Sequence, residues 1–427
     1  MSKKRIGIFT TFYRWDTSYS LTSVIFDQLV AHLKNGYTPV LFVLDTFDQN
    51  DLDKIPKGVE VRGVIPQILL EPYKGLAFPA NWEEDVARVV AALKQYAMDI
   101  DVMITHDIVF IDSYVPYNQA LWKAELPCRY LHWIHSAPSP HLDLENTPHA
   151  ARYKLPPNSR LVYLNNDKTL DLAETYGTFL SNVRVVYNSR DPRTFWDLHP
   201  FVSYLIDEYD ILSADIISVY PLSAPRMVGG KQVDVVIRIH EQLRKLGYKT
   251  KLIVCDAHAN AQAERDAALA RVSSDVIFTS LEGESEEIVG KVIKRQRPFE
   301  DGVAPKVIAD LFRLSNVFIF PTISENCSLI LLEAMMAGNL LVLNKDCTGL
   351  DELAGKENAI YLRFGNFDLG VRKTEHALER DGYMRDIALI IKDAVENSKP
   401  LKAKRRALQV FNYDAVFARI EPLYYET

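Results

Sequence analysis

Cysteine is scarce: Cys128, Cys255, Cys327 and Cys347 are the four in 427 residues. None forms a C-x-x-C pair, so neither a disulfide framework nor a zinc site of familiar spacing is supported, and buried free thiols in a reducing compartment are expected. Long hydrophobic runs are missing as well. No uncharged apolar run reaches the ~18 residues of a membrane span; the richest, Ser328 to Leu343, is interrupted by Glu333. Behind the basic start Met1 to Arg5 the apolar stretch covers only Ile6 to Phe9, too short for a signal peptide, and a cytoplasmic protein with no membrane insertion is expected. There is no G-x-G-x-x-G and no H-E-x-x-H, and Gly229-Gly230-Lys231-Gln232 lacks the leading spacing and the Ser/Thr of a Walker A string. These absences argue against a dinucleotide oxidoreductase, a P-loop enzyme and a zinc protease. Positive charge is not in excess either: the net charge of -7 gives no general pull toward nucleic acid or anionic membrane.

What is present is a folded α/β chain. Hydrophobic residues make up 48% and charged residues 25%, a globular balance, and 427 residues suit two domains better than one core. Near-continuous apolar runs such as Pro39 to Leu44 are typical of parallel strands covered on both faces. Further strands are expected at Arg5–Thr10, Asp101–Thr105, Arg129–Ile134, Arg160–Leu164 and Val183–Tyr187. A second set is expected at Asp215–Tyr220, Lys251–Cys255, Asp275–Phe278, Val317–Phe320 and Leu340–Leu343. Helical patterns lie between most of them, for example Leu21 to Lys34, which Asn35-Gly36 should stop. Such alternation means doubly wound sheets with ligands at the carboxyl ends of the strands. Phe195 to Leu212 shows no clear period and is read as a linker, and Leu281 to Gly302 as an inserted loop.

The strongest local signal is the string from Pro321 to Gly338, containing Glu325, Asn326, Cys327, Ser328, Leu329 and Glu333. It follows an expected strand and opens a helix. Free backbone N–H groups and the helix dipole make such a place an anion site, and a carboxylate there can accept two hydroxyl hydrogen bonds from a sugar or ribose. Upstream, Arg226 and Lys231 sit in a loop after another strand. A cation pair of this kind lowers the barrier to breaking a sugar–phosphate bond, because negative charge builds on the leaving oxygen. Arg226 can bridge two oxygens, while Lys231 acts as a point charge. Taken singly, Ser324 or Asn326 fits a helix N-cap and Glu333 a solvated helix position.

Together these strings resemble the retaining glycosyltransferases that include the sucrose and glycogen synthases and bacterial mannosyl- and glucosyltransferases. Their signature has two glutamates with seven residues between, and Pro321, Glu325, Glu333, Ala334, Met335 and Gly338 stand in its places. The resemblance implies an α/β protein of two Rossmann-like domains facing across a cleft, the GT-B arrangement. It divides the chain into an acceptor-binding domain over 1–200, a nucleotide-sugar-binding domain over 201–408, and a C-terminal helix in 409–427 that crosses back. It implies that Glu325 meets the donor sugar and Glu333 the ribose. Backbone groups from Asn326 through Cys327 and Ser328 to Leu329 would face the sugar and diphosphate, held also by Arg226 and Lys231. The donor is a nucleoside-diphosphate sugar, UDP-linked by preference. A same-face displacement is implied, without a cofactor or an essential metal. Asp99-Ile100-Asp101, which looks like a metal motif, sits at a helix–strand boundary.

In the first half, His132-Trp133-Ile134-His135 and Thr105-His106-Asp107 end strands. The resemblance places a histidine near the transferred sugar, and His135 is the candidate. His106, Tyr13 and Trp15 are weaker candidates for the acceptor side. The family's glycine-rich loop after the first strand is absent here; Thr10 to Tyr19 is aromatic and hydroxylated instead, and its rings either stack on a flat acceptor or pack the domain. Asn188 and Asp191 read as turn formers. The acceptor itself stays open. Two basic runs, one of Lys399, Lys402, Lys404, Arg405 and Arg406 and one from Lys291 to Arg297, together with the aromatic loop permit a hydroxymethylated base in DNA, against the alternative of a pair of solvated helix faces. A non-catalytic sugar-nucleotide-binding subunit is the competing class.

Overall fold

The computed structural model describes residues 4–75, 77–136, 150, 154–222, 228–256, 275–279, 303–325, 327–347, 349–368, 371–374, 378 and 380–426. The chain forms two compact units: Met1–Arg190 with Phe411–Thr427, and Asp191–Val410.

The first unit is built on a seven-stranded, wholly parallel sheet. Its strands are β1 (Arg5–Phe9), β2 (Thr38–Leu44), β3 (Glu60–Ile65), β4 (Val102–His106), β5 (Arg129–Ile134), β6 (Ser159–Tyr163) and β7 (Val183–Val185), in the order β3-β2-β1-β4-β5-β6-β7. The apolar run of β2 is buried everywhere but its first residue, as the covering of both faces by helices requires. Gly7 has to be small. A Cβ on it would lie 2.9 Å from Met103 Sδ and 3.1 Å from a Phe42 ring carbon. The first helix, Ser20–Lys34, stops where Gly36 turns left-handed (φ 72°) and the Tyr37 N–H donates to the His32 carbonyl at 2.9 Å, a glycine-terminated cap. The chain end returns to this unit. The helix Tyr413–Ile420 and the turn Glu421–Tyr424 lay Phe417 and Tyr424 against His32, and Tyr413 Oη donates to Asp27 Oδ1 at 2.8 Å.

The second unit repeats the winding. Its parallel strands are β8 (Ile216–Pro221), β9 (Thr250–Cys255), β10 (Val276–Phe278), β11 (Val317–Phe320), β12 (Leu340–Asn344) and β13 (Ile360–Leu362), in two sheets ordered β10-β9-β8 and β11-β12-β13. The Asn316 N–H donates to the Ile217 carbonyl at 3.0 Å, and the Ile217 N–H to Asn316 Oδ1 at 2.9 Å, so the edges of β8 and β11 adjoin. An antiparallel pair, β14 (Gly365–Asp368) and β15 (Val371–Thr374), follows. In each unit the direction of winding reverses once, between β1 and β4 and between β8 and β11. The carboxyl ends of strands at such a reversal leave a crevice for a ligand.

One expected linker is regular structure. Residues 195–212 contain the helix Pro200–Tyr209, which buries Phe201, Val202, Leu205 and Ile206 along one face. Pro200 opens it, the His199 ring accepts the Phe201 N–H at 3.2 Å, and left-handed Asp210 ends it. The expected inserted loop, 281–302, lies outside the described residues. At Asp99-Ile100-Asp101 the charges are spent locally: Asp99 pairs with Arg62 at 2.8 Å, and Asp101 accepts the Arg5 N–H at 2.7 Å.

Candidate functional site

In the second unit the loops after β8 and β11 meet at the reversal point. Lys231 ends the short helix Val228–Lys231 after β8, and Glu325 lies in the loop after β11. Lys231 Nζ is 2.5 Å from Glu325 Oε1, with side-chain exposures of 5% and 16%. The ammonium also stands 5.2 Å from the centre of the Phe320 ring. A nearly dry ion pair is worth keeping only with good geometry and satisfied neighbours, and the loops supply both. The Ile323 N–H donates to the Gly230 carbonyl at 3.0 Å, and Tyr220 Oη donates to the Lys231 carbonyl. Gln232, in left-handed backbone, donates its amide to the carbonyls of Pro321 (2.6 Å) and Phe364 (2.9 Å). Asn344 donates to Thr322 O at 2.9 Å and Gly365 O at 2.6 Å.

The helix Leu329–Met336 starts beside this pair. Its N-cap is Ser328, whose hydroxyl accepts the Leu331 N–H at 3.3 Å. Cys327 is exposed and Leu329 is 70% exposed, so the residues flanking the cap leave the helix start open to solvent. Glu333 is half-buried on the same helix and has no hydrogen-bond partner among the described residues; burial raises its pKa above the usual carboxylate range. Arg226 and Asn326, both expected at this site, lie outside the described residues. The arrangement presents a buried cation held by a carboxylate, an open helix N-terminus and a second carboxylate that no described residue engages. It can take an anion flanked by hydroxyl groups.

In the first unit a cavity of about 250 Å³ opens at the carboxyl ends of β1 and β4, lined in part by Thr10, Tyr13, Tyr19, His106, Asp107 and Tyr114. His106 Nδ1 is 2.8 Å from His135 Nε2, and His106 Nε2 is 3.0 Å from Gln28 Oε1. With the Gln28 oxygen accepting from His106 Nε2–H, His106 Nδ1 accepts in turn from His135 Nε2–H. Burial, reinforced by the neighbouring imidazole, pushes the His106 pKa well below its ordinary value. Burial lowers that of His135 too, with Asp107 opposing. Asp107 has a left-handed backbone (φ 56°) and accepts the His135 N–H at 2.8 Å. Its pKa is raised by burial against that hydrogen bond.

The structure thus brings His135 together with His106, and Lys231 together with Glu325. Tyr13 lines the cavity and is 53% exposed. Trp15 does not belong with it. Its side chain is 3% exposed and packs edge-on against Phe12 at 6.0 Å, while its backbone N–H donates to Asp51 Oδ2 at 2.6 Å; it is core, because the loop turns inward after Arg14. His132 bonds Thr105 Oγ1 at 2.8 Å and Ser159 Oγ at 3.1 Å within the sheet. Sequence reasoning passed over Gln28, Asp107 and Gln232. A polar residue on the inner face of an amphipathic helix was the available signal for Gln28; for the others no spacing exists to find. Among the described residues no group of three His, Cys, Asp or Glu side chains is disposed to hold a metal ion.

No protein-family description matches the chain, and no curated protein matches it. Among solved structures the chain is similar, over nearly its whole length, to glycosyltransferases. A glycosyltransferase from Rickettsia africae ESF-5 matches at 12% identity and a TM-score of 0.37, covering 99% of this chain and 98% of that one. The sucrose-phosphate synthase of Thermosynechococcus elongatus matches at 13% and 0.35, covering 99% and 98%. Anabaena Alr3699/HepE, solved in complex with UDP, matches at 15% and 0.33, covering 98% of each.

Proposed function

We propose that this protein is a glycosyltransferase that moves a sugar from a nucleoside-diphosphate sugar, UDP-linked by preference, to a hydroxyl acceptor, with retention of configuration and without an essential metal. The observation that carries the reading is the desolvated Lys231–Glu325 pair beside the open N-terminus of the helix Leu329–Met336, at the winding reversal of the second unit. In the proposed reaction the bond from the anomeric carbon to the diphosphate oxygen breaks, a bond to the acceptor oxygen forms, and the acceptor's proton passes to the leaving phosphate. Charge growing on that phosphate is offset by Lys231 and by the helix dipole, with Arg226 assigned the same task by the motif. Glu325 is engaged with Lys231 and is therefore an orienting group for the sugar rather than a nucleophile, which favours the same-face displacement. Glu333, half-buried and engaged by no described residue, takes the vicinal hydroxyls of the ribose.

The DNA-base reading gains nothing from the basic run of 399–406, and its second run, Lys291 to Arg297, lies outside the described residues. Lys404 turns inward, donates to the Ser315 carbonyl at 2.6 Å and has its pKa lowered to about 8 by burial. Arg405 lies 3.8 Å from Asp215. The run is therefore not one continuous cationic face.

A thermal-shift panel of nucleotide sugars tests the proposal. A donor present at about 100 times its Kd stabilises the fold by ~2.7 kcal/mol, so one or two donors should raise the Tm by several degrees and release free nucleotide on incubation. No shift with any nucleotide sugar would remove the proposal.

A further inference from the structure

We propose that the cavity at the carboxyl ends of β1 and β4 binds a ring compound carrying a protonated amine, and that this compound is the acceptor. Its role as acceptor rests on the transfer reading above; the binding does not.

The argument begins with charge. Among the described lining residues Arg14 is the one permanent cation, and it is spent. Its Nη2 lies 3.0 Å from Asp16 Oδ2, and its guanidinium sits 5.4 Å from the centre of the Tyr13 ring. His106 is buried, and burial holds it neutral. What remains is the Asp107 carboxylate, 8% exposed as a residue, for which no described side chain provides an ion pair. It cannot swing away, because its backbone is left-handed, one oxygen is held at 2.8 Å by the His135 N–H, and the Ser136 N–H and hydroxyl also donate to the carboxylate. Burial disfavours the ionised form of this fixed carboxylate, its hydrogen bonds to His135 and Ser136 oppose that, and a cationic ligand would supply the one thing the described residues do not, a full positive charge beside it.

The walls point to the same chemistry. Phe12, Tyr13, Tyr19 and Tyr114 all line the cavity, and aromatic faces attract an ammonium group once it leaves water. Tyr19 feels both Tyr114 and Asp107, which with burial keep its phenol protonated and able to donate. Conversely, a phosphorylated or carboxylated acceptor would meet Asp107 and Asp16 with no described lining cation left unpaired, a charge clash that excludes it.

The test titrates the full chain, without nucleotide sugar, with three compounds sharing one ring: glucosamine, glucose and glucose-6-phosphate. Calorimetry should show glucosamine binding roughly tenfold more tightly than either of the others. That preference should vanish in Asp107→Asn, which keeps an oxygen for the His135 N–H and suits a left-handed backbone. Tyr13→Leu, at an exposed ring, should weaken glucosamine binding without disturbing the fold, and it decides the matter if the Asp107 variant does not fold. Equal binding of the three sugars overturns the proposal, as does a glucosamine preference that survives both substitutions. Release of UDP from a UDP-sugar is read separately. A chain that prefers glucosamine but never releases nucleotide upholds the amine site and removes the transfer reading, whereas one that releases nucleotide without an amine preference does the reverse.

Discussion

At the scale of single residues, Lys231 and Glu325 illustrate how one contact serves fold and chemistry together. Lys231 is almost wholly buried, and the carboxylate 2.5 Å away offsets the cost of keeping its ammonium out of water. Two substitutions separate the roles. Glu325→Gln keeps the shape and an oxygen facing Lys231, so the chain should fold while transfer falls about 10²–10³-fold, the usual loss of a preorganised charge at a reacting centre. Lys231→Ala also strands a carboxylate that is mostly buried, and should cost stability on the order of 1–3 kcal/mol as well as activity. Nucleotide release measures the first effect and the urea midpoint the second. A Glu325→Gln enzyme at full rate would remove Glu325 from the mechanism. This pair was legible in the sequence because the glutamate spacing and the upstream lysine repeat a known string. The cavity of the first unit was legible only in part: Tyr13 and His106 stood out, but Thr10, Asp107 and Tyr114 did not, because the cavity joins two distant stretches, 9–22 and 106–114, and no local pattern records that they meet.

At the scale of elements, legibility followed burial. The inner strands β2, β4, β5 and β11 announce themselves as apolar runs because both of their faces are covered. The edge strand β3 does not, since only its last residue is buried and its sequence mixes Glu60, Arg62 and Gly63 with apolar residues. The helix Pro200–Tyr209 was hidden for a different reason: its apolar face is only four residues long and is flanked by His199, Pro200 and Tyr209. The returning C-terminal helix shows what an element contributes beyond its own length. Tyr413, Val416, Phe417, Ile420, Leu423 and Tyr424 are each 3% exposed or less, packed into the core of the first unit. Phe417 lies between His32 at 5.4 Å and Tyr37 at 5.5 Å. Phe417→Ala should therefore lower stability by roughly 3–5 kcal/mol, the range for truncating a buried phenylalanine. A loss below about 1 kcal/mol in denaturant unfolding would mean the helix is only loosely docked.

For the whole molecule, buried histidines contribute to the loss of stability in acid. Burial lowers His32 to about 4, and His132 and His240 to about 3, against about 6.5 in the unfolded chain. Below pH 6.5 the unfolded state therefore binds protons that the folded state refuses. The stabilisation is complete above about pH 6.5 and drains away as pH falls toward the folded values, by up to about 2 kcal/mol per histidine at pH 5. His240 offers the cleanest test. His32 bonds the Gln28 carbonyl at 2.6 Å and Tyr424 Oη, and His132 bonds Thr105 and Ser159, so replacing either one also breaks hydrogen bonds. Both ring nitrogens of His240, on the helix Val233–Lys245, are buried without a hydrogen-bond partner among the described residues, and after burial it is Arg244 that does most to hold the ring neutral. His240→Leu removes an unsatisfied polar ring and an acid-titrating group in one step. Stability at pH 7 should rise by about 1 kcal/mol, and the loss between pH 7 and pH 5 should shrink by about 2 kcal/mol. Thermal unfolding of both proteins across that range reads the difference, and an unchanged slope with pH would show that His240 is protonated in the folded chain.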